Sequence, residues 1–157
     1  MKSKLEIDMS GVDDVFKRLR KELGHGKHGA NAGFLSDDKR KDGKLTEDKV
    51  ALYNEFGTKD IPARPFMRRA HKVLKNKIPK MVQAGLEDEK SLEQILGECG
   101  QAMRNEIIES IDSNIPPPNK ESTIKRKGST HTLIDTGQMR RAVHTGIVLN
   151  SKEKLKE

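Results

Sequence analysis

Aromatic residues are scarce in this sequence, which holds no tryptophan, one tyrosine and four phenylalanines. Proteins that bind single-stranded nucleic acid without reading its sequence stack bases on aromatic side chains, so a stacking platform is not expected here. Cysteine is scarcer still. Cys99 is the single cysteine, which excludes a disulfide within the chain and is typical of a reducing compartment.

Long apolar runs are also missing. No stretch reaches the ~18 uninterrupted apolar residues of a membrane span, and the start Met1–Lys4 lacks the apolar run of a secretory signal. We therefore expect neither a membrane segment nor export. With 32% apolar residues in a chain of 157, one modest core is possible. The sequence predicts a single domain over residues 1–149 and a charged tail over residues 150–157.

Positive charge is in excess, with 31 basic and 24 acidic residues and a net charge of +7. The basic residues are spread over three clusters, at Lys17–Lys21, Arg64–Lys72 and Lys125–Lys127. This excess is typical either of a soluble protein with a basic surface or of a protein with an anionic partner. Dispersed charge without aromatic residues favours passive contact with DNA over a module that reads bases.

Alternating apolar residues predict three strands. They are an N-terminal strand at Leu5–Met9, a glycine-rich strand that includes Ala30 and Ala32, and a final strand at Val143–Leu149. Helical spacing from Val12 to Leu23 predicts a helix after the first strand. The fold class expected is α+β, with a small antiparallel sheet of the three strands packed against several helices.

Further helices are predicted by caps and apolar stripes. Thr46 begins a short helix, and a longer one follows Pro65, with a kink or break expected before Pro79. Ser91 and Gln94 form a capping box at the start of a helix of about twenty residues. Cys99 lies on the apolar stripe of that helix, so a buried, inert thiol is expected.

Two short helices are expected near the C-terminal end. Asn119 can cap a helix that ends at Gly128, and Asp135 or Thr136 can cap a turn that starts at Gly137.

The loop between Tyr53 and Arg69 has the strongest local signals. Gly57 can take the positive φ that ends a helix, and Pro62 and Pro65 forbid helix between them. Phe56 and Phe66 bracket the loop, so both rings are expected to pin it to the core. Arg64 would then be presented on a stiff backbone to a neighbouring molecule. The alternative is an ordinary connection between helices.

Two motifs carry a family resemblance. The first is Glu55–Thr58 followed by Pro62–Arg68, EFGT and PARPFMR. The second is Pro117–Asn119, then Ser122–Gly128 and Leu133–Arg140, which read PPN, STIKRKG and LIDTGQMR. In this order they resemble the "EFGT … PARPFLR" and "PN.PSTIRRKGS..PLIDTGRMR" signatures of phage minor tail proteins, also labelled virion morphogenesis proteins. Members of that family are tail-completion and head–tail joining proteins.

The resemblance implies a structural, non-enzymatic protein of the virion neck or tail, made in the cytoplasm of the bacterial host. It implies a homo-oligomeric ring, such as a hexamer, between the head connector and the tail. Its neighbours would be portal or head-completion proteins and tail-terminator or tail-tube proteins, with non-specific DNA contact in the lumen. Candidate interface residues are Arg64, Pro65, Arg68, Arg69, Lys125, Arg126 and Arg140. Residues expected to hold the motifs in shape are Phe56, Gly57, Phe66, Asp135 and Gly137.

Enzymatic and metal-binding alternatives find little support. Asp135-Thr136-Gly137 matches an aspartic-protease triplet, but that chemistry needs two such aspartates sharing a proton, and the arginines that follow favour an ionised Asp135. The segment from Asp38 resembles an EF-hand loop but has Arg40 and Lys49 where calcium needs oxygen ligands. The histidines lack zinc-site spacing, and no phosphate-binding glycine loop occurs. We predict no catalytic, cofactor or metal residues. The second functional candidate is a basic nucleic-acid-binding accessory protein, and an enzyme ranks third.

Overall fold

The computed structural model describes residues 28–34 and 45–149. The predicted strand at Leu5–Met9, the helix after it and the tail over residues 150–157 lie outside the described residues. The elements, in chain order, are β1 His28–Gly33, α1 Glu47–Phe56, α2 Phe66–Glu87, α3 Leu92–Asp112, α4 Glu121–Lys127, α5 Gln138–Arg141 and β2 His144–Leu149.

The glycine-rich strand and the final strand belong to one antiparallel sheet, as predicted. They pair directly with each other, a strand order that the sequence does not predict. β1 and β2 are antiparallel, with His28 opposite Leu149 and Gly33 opposite His144. The sheet packs on α3 at Gly100, where an added Cβ would meet the Thr145 hydroxyl and the Ala30 methyl group. A side chain at position 100 would therefore have to displace the Thr145 hydroxyl, so glycine suits this close approach of helix and sheet. The α+β fold class is confirmed for the described chain.

The core lies between the α2–α3 hairpin and the segments that follow it. Phe66, Ile111 and Val143 are its largest fully buried side chains. The ring of Phe34 meets that of Phe66 edge-on, with centroids 6.1 Å apart. Ser110 ties the two helices together, because its hydroxyl donates to the Phe66 carbonyl at 2.8 Å. The hairpin thus holds the start of α2 next to the end of α3.

The break predicted before Pro79 does not occur. α2 runs without interruption through Pro79 to Glu87, for 22 residues. A proline in a helix interior removes one backbone hydrogen bond and costs roughly 3 kcal/mol. Packing of Ala70 and Leu74 against α3 outweighs that cost, since both side chains are buried. The prediction of a break was wrong because it judged the helix by local propensity alone, and the alternative of a kink stays a prediction.

Some of the predicted helix caps are present in the structure and others are not. The Ser91–Gln94 capping box is present, with hydrogen bonds of 3.2 and 2.9 Å, and Gly128 ends α4 at a φ of 67°. Asn119 does not cap α4, whose N-cap is Lys120. Neither Asp135 nor Thr136 caps α5, whose N-cap is Gly137 with a φ of 74° and which has no capping side chain. The Thr136 hydroxyl only accepts a long hydrogen bond from the Gln138 amide, at 3.4 Å.

Cys99 is buried, as predicted, and burial raises the pKa of its thiol. A thiol that resists ionisation is a poor nucleophile, so the position is suited to packing. Within the described segments, no helix combines the length and the apolar character that crossing a bilayer requires.

Candidate functional site

Arg64 joins the two motifs. Its Nε and one Nη donate to the Pro117 carbonyl at 3.0 and 2.9 Å, and the same Nη donates to the Asn119 amide oxygen at 3.2 Å. Arg64 is only 4% exposed. The expectation that Arg64 stands out toward a neighbouring molecule is therefore wrong for this chain. The planar guanidinium instead links the loop before α2 to the proline-rich segment after α3. We call this set of contacts the Arg64 clasp.

The second motif is arranged around the same clasp. Asn119 Nδ2 donates to the His131 carbonyl at 2.9 Å, and Lys127 Nζ donates to the same oxygen at 2.7 Å. Asn119 is thus the bridge between Arg64 and the segment after α4, which explains why it does not cap the helix. Burial lowers the pKa of Arg64, although guanidinium groups stay protonated in proteins. The clasp therefore brings a positive charge into the interior.

The first motif forms a second hydrogen-bonded unit. The Glu55 carboxylate accepts from the backbone amides of Met67 and Arg68 at 2.8 and 3.2 Å, in the first turn of α2. Arg68 Nε also donates to Glu55 at 2.9 Å, and the guanidinium carbon Cζ of Arg68 lies 5.3 Å from the centre of the Phe56 ring. A buried carboxylate at a helix N-terminus satisfies free amides and matches the helix dipole. Sequence reasoning missed this role, because Glu55 lies outside the local spacing of a capping box.

The loop inside the first motif is closed by Gly57 and Thr58. Gly57 has a φ of 77°, and a Cβ there would lie 2.8 Å from the Ala63 amide nitrogen. The Thr58 hydroxyl accepts from the Ile61 amide at 3.1 Å. The Arg64 amide then donates to the Asn54 carbonyl at 2.7 Å. These contacts fix the direction in which the Arg64 side chain leaves the loop.

A groove of about 630 Å³ lies between the two motifs. Its basic side chains are Lys59, Arg64, Lys120, Arg126 and Lys127, and its acidic ones are Asp60 and Asp135. We call it the motif groove. Desolvation is the main cause of the lowered pKa of Lys127. Asp135 raises that pKa, whereas Arg64 and Arg126 lower it. Positive charge thus predominates in the groove.

The candidate interface residues do not form one surface. Arg64 and Arg126 line the motif groove, and Pro65 is the half-buried N-cap of α2. Arg69 and Lys125 are exposed outside the groove. Arg140 Nε pairs with the two oxygens of Asp112 at 2.9 and 3.0 Å.

The expectation that Phe56 and Phe66 both pin the loop to the core is correct for only one of them. Phe66 is fully buried, as predicted, but Phe56 is 63% exposed. It borders a second, apolar cavity of about 450 Å³ together with Phe34, Leu52 and Met67. Only one of the two phenylalanines pins the loop to the core, and the other stacks under Arg68.

The described residues hold no group of three or more His, Cys, Asp or Glu side chains able to bind a metal ion. Asp135 is exposed at the edge of the motif groove. Comparison with protein-family models, with curated proteins and with solved structures gives no match.

Proposed function

We propose that this chain is a structural subunit of a phage neck or tail, acting in tail completion or head–tail joining as part of a homo-oligomeric ring. The observation that supports the proposal is the Arg64 clasp. Arg64 of the first motif bonds to Pro117 and Asn119 of the second, 53 and 55 residues further along the chain. Two sequence resemblances that meet in one packed site are better understood as parts of one structural unit than as separate coincidences.

In the proposed ring, one copy contacts its neighbours, and the ring contacts portal or head-completion proteins on one side and tail-terminator or tail-tube proteins on the other. Arg69 on α2 and Lys125 and Arg126 on α4 are exposed basic residues on separate parts of the chain, and such dispersed charge is compatible with DNA that passes through the lumen. The proposal assigns no catalytic role to Asp135, which instead raises the pKa of Lys127 and so favours its charged form.

The test is to disrupt the gene in the phage that carries it and to examine the particles by electron microscopy and mass spectrometry. We expect full heads and separate tails without the protein, joined particles when it is supplied in trans, and its peptides in purified virions. Infectious particles of normal yield and shape in its absence would contradict the proposal.

A nucleic-acid-binding accessory role is the second candidate, and the basic motif groove is the observation that favours it. Such binding would weaken steeply with salt, because each neutralised phosphate releases counterions. Duplex DNA titrated at several salt concentrations separates the two candidates. Tight, salt-sensitive binding combined with absence from virions would favour the accessory role.

A further inference from the structure

The motif groove contains two cations whose hydrogen bonds go to neutral oxygens. Arg64 donates to the Pro117 carbonyl and to the Asn119 amide oxygen, and Lys127 Nζ donates to the His131 carbonyl at 2.7 Å. Arg64 is 4% exposed, and desolvation lowers the pKa of both cations. The charge of Arg64 lowers the pKa of Lys127 further. Positive charge that is taken out of water costs free energy unless an anion matches it, so the groove is suited to an anion.

Both cations keep donors that the fold does not use. In the described part of the chain, the hydrogen bonds of the Arg64 side chain use Nε and Nη2. Its Nη1 is left for the groove that Arg64 lines. Lys127 Nζ carries three hydrogens, of which one is directed at the His131 carbonyl. Donors of two cations are therefore available to a ligand in the groove.

Thr132 gives an observation that does not depend on charge. It lines the same groove and is only 6% exposed. Its amide donates to the Asn114 side chain at 2.8 Å, but its hydroxyl has no hydrogen-bond partner among the described residues. A buried hydroxyl without a partner costs free energy, and a ligand oxygen in the groove would remove that cost. Thr132 directly follows His131, whose carbonyl accepts from Lys127, so the hydroxyl is close to the two cations along the chain.

We propose that the motif groove binds a single phosphate group, held by Arg64 Nη1, Lys127 Nζ and the Thr132 hydroxyl. These donors lie on three separate segments, the loop before α2, the last turn of α4 and the segment before α5, so they can reach different oxygens of a tetrahedral group. A planar carboxylate pairs best with the two-pronged edge of an arginine. In Arg64, Nε and Nη2 are already engaged by Pro117 and Asn119, which favours phosphate over carboxylate.

The lining of the groove favours the phosphate of a small molecule over the backbone of duplex DNA. Its volume of about 630 Å³ is within the range of pockets that hold small ligands, ~300–1,000 Å³. Asp60 and Asp135 line it beside five basic side chains. One phosphate can lie at the cations, whereas a duplex would bring further phosphates toward the two aspartates. We therefore expect inorganic phosphate or a nucleotide to bind. The site lies within one chain, so it goes beyond the proposed function and needs no ring.

The first experiment measures phosphate binding to the full chain in a buffer free of phosphate. The probes are inorganic phosphate and adenosine monophosphate, followed by isothermal titration calorimetry. We expect saturable binding to one site and a melting temperature that rises with the concentration of the probe, because a ligand of the folded chain stabilises it. Sodium acetate and sodium chloride at the same ionic strength should give no saturable binding. Failure of both phosphate probes to bind, or equal binding of acetate, would overturn the proposal.

The decisive variant is Thr132→Val, which removes the hydroxyl and nearly keeps the shape of the side chain. Without ligand it should melt at the same temperature as the unmodified chain or higher, because the lost hydroxyl has no partner. Its affinity for phosphate should fall about tenfold, the effect of one hydrogen bond to a charged group. The matched control is Thr130→Val, exposed and outside the groove, which should bind phosphate normally. Unchanged affinity in Thr132→Val would overturn the proposed site. So would a clearly lower melting temperature, since the hydroxyl would then already have a partner.

A second pair of variants separates a site from general attraction by positive charge. Arg126 is exposed and lines the groove, whereas its neighbour Lys125 is exposed outside it. Arg126→Gln should weaken phosphate binding about threefold, as expected for an exposed charge close to the ligand. Lys125→Gln removes the same charge and should leave the affinity unchanged. Equal weakening by both variants would mean that phosphate responds only to net charge, and would overturn the site.

Competition distinguishes the two sources of phosphate. Duplex DNA, added at the same phosphate concentration, should not displace adenosine monophosphate. Displacement by the duplex, together with weaker duplex binding in Thr132→Val than in Thr130→Val, would assign the groove to the DNA backbone and overturn the small ligand. The outcome is separate from that of the proposed function. If the groove binds phosphate but the protein is absent from virions, the site stands and the proposed function falls. If the protein joins heads to tails but binds no phosphate, the function stands and the site falls.

Discussion

The two ends of the α2–α3 hairpin are held together by different kinds of contact. At the turn between the helices, the bonds are local: Ser91 and Gln94 cap each other across three residues, and the Lys90 amide returns to the Gly85 carbonyl. At the opposite end, the hydrogen bonds join residues that are far apart in the sequence. Arg64 reaches Pro117 across 53 residues, and Ser110 reaches Phe66 across 44.

Because of this difference, the two ends of the hairpin contribute to stability in different ways. Local bonds form as soon as the helices form, so the turn needs no other part of the protein. The clasp end needs both motifs in place, and it buries a charge that costs free energy unless its hydrogen bonds are complete. We therefore expect substitutions at the clasp end to cost more stability than substitutions at the turn.

The largest effect is expected at Phe66, which anchors the clasp end in the core. Phe66→Ala should lower the free energy of unfolding by about 4 kcal/mol, because it deletes a fully buried ring and leaves a cavity. Denaturant unfolding followed by circular dichroism measures it. The control is Phe56→Ala, since Phe56 is 63% exposed and should lose no more than about 1 kcal/mol. Equal losses would show that the two rings are buried alike.

Arg64 should give the next largest effect. Arg64→Ala leaves the Pro117 carbonyl and the Asn119 amide without their charged donor, so we expect a loss of about 2 kcal/mol. For a domain of this size, that corresponds to a melting temperature lower by about 6 °C. Arg64→Lys should recover only part of it, because an ammonium cannot make the same fork of hydrogen bonds.

The matched control is Arg69→Ala, five residues along the chain and exposed. It should change the free energy of unfolding by less than about 0.5 kcal/mol. An unchanged melting temperature for Arg64→Ala would mean that the guanidinium is not held by Pro117 and Asn119, and would restore the expectation that it faces a neighbour.

The same comparison explains how far the sequence could predict the structure. The capping box at Ser91 and the helix end at Gly57 follow from local signals, and both are confirmed. Alternation predicts the glycine-rich strand and the final strand as members of one sheet, which is confirmed, but it does not give the order of the strands. The roles of Glu55, Arg64 and Asn119 depend on partners that the sequence does not bring near them. No spacing rule connects Arg64 to Pro117, so its burial could not be predicted, and an exposed arginine was expected instead.

A substitution at Ser91 tests the end of the hairpin that is held by local hydrogen bonds. Ser91→Ala removes one half of the capping box and should lower the free energy of unfolding by about 1 kcal/mol. Thermal melting compares it with Ser122→Ala, an exposed position on α4 that should change by less than about 0.5 kcal/mol. If Ser91→Ala cost as much as Arg64→Ala, the contrast between the local and the long-range end would not hold.

The smallest effects, and the sharpest comparison, come from Glu89 and Asn114. They follow α2 and α3 respectively, and both have positive φ, 54° and 52°. Glu89→Gly relieves strain at the turn and should raise the free energy of unfolding by up to about 1 kcal/mol. Asn114→Gly relieves less strain, because asparagine tolerates this conformation, and it loses the 2.8 Å bond from the Thr132 amide to its side chain. We expect a loss of about 1 kcal/mol there. Denaturant titrations of both variants should therefore shift in opposite directions, and a shift of both in the same direction would show that the two ends respond alike.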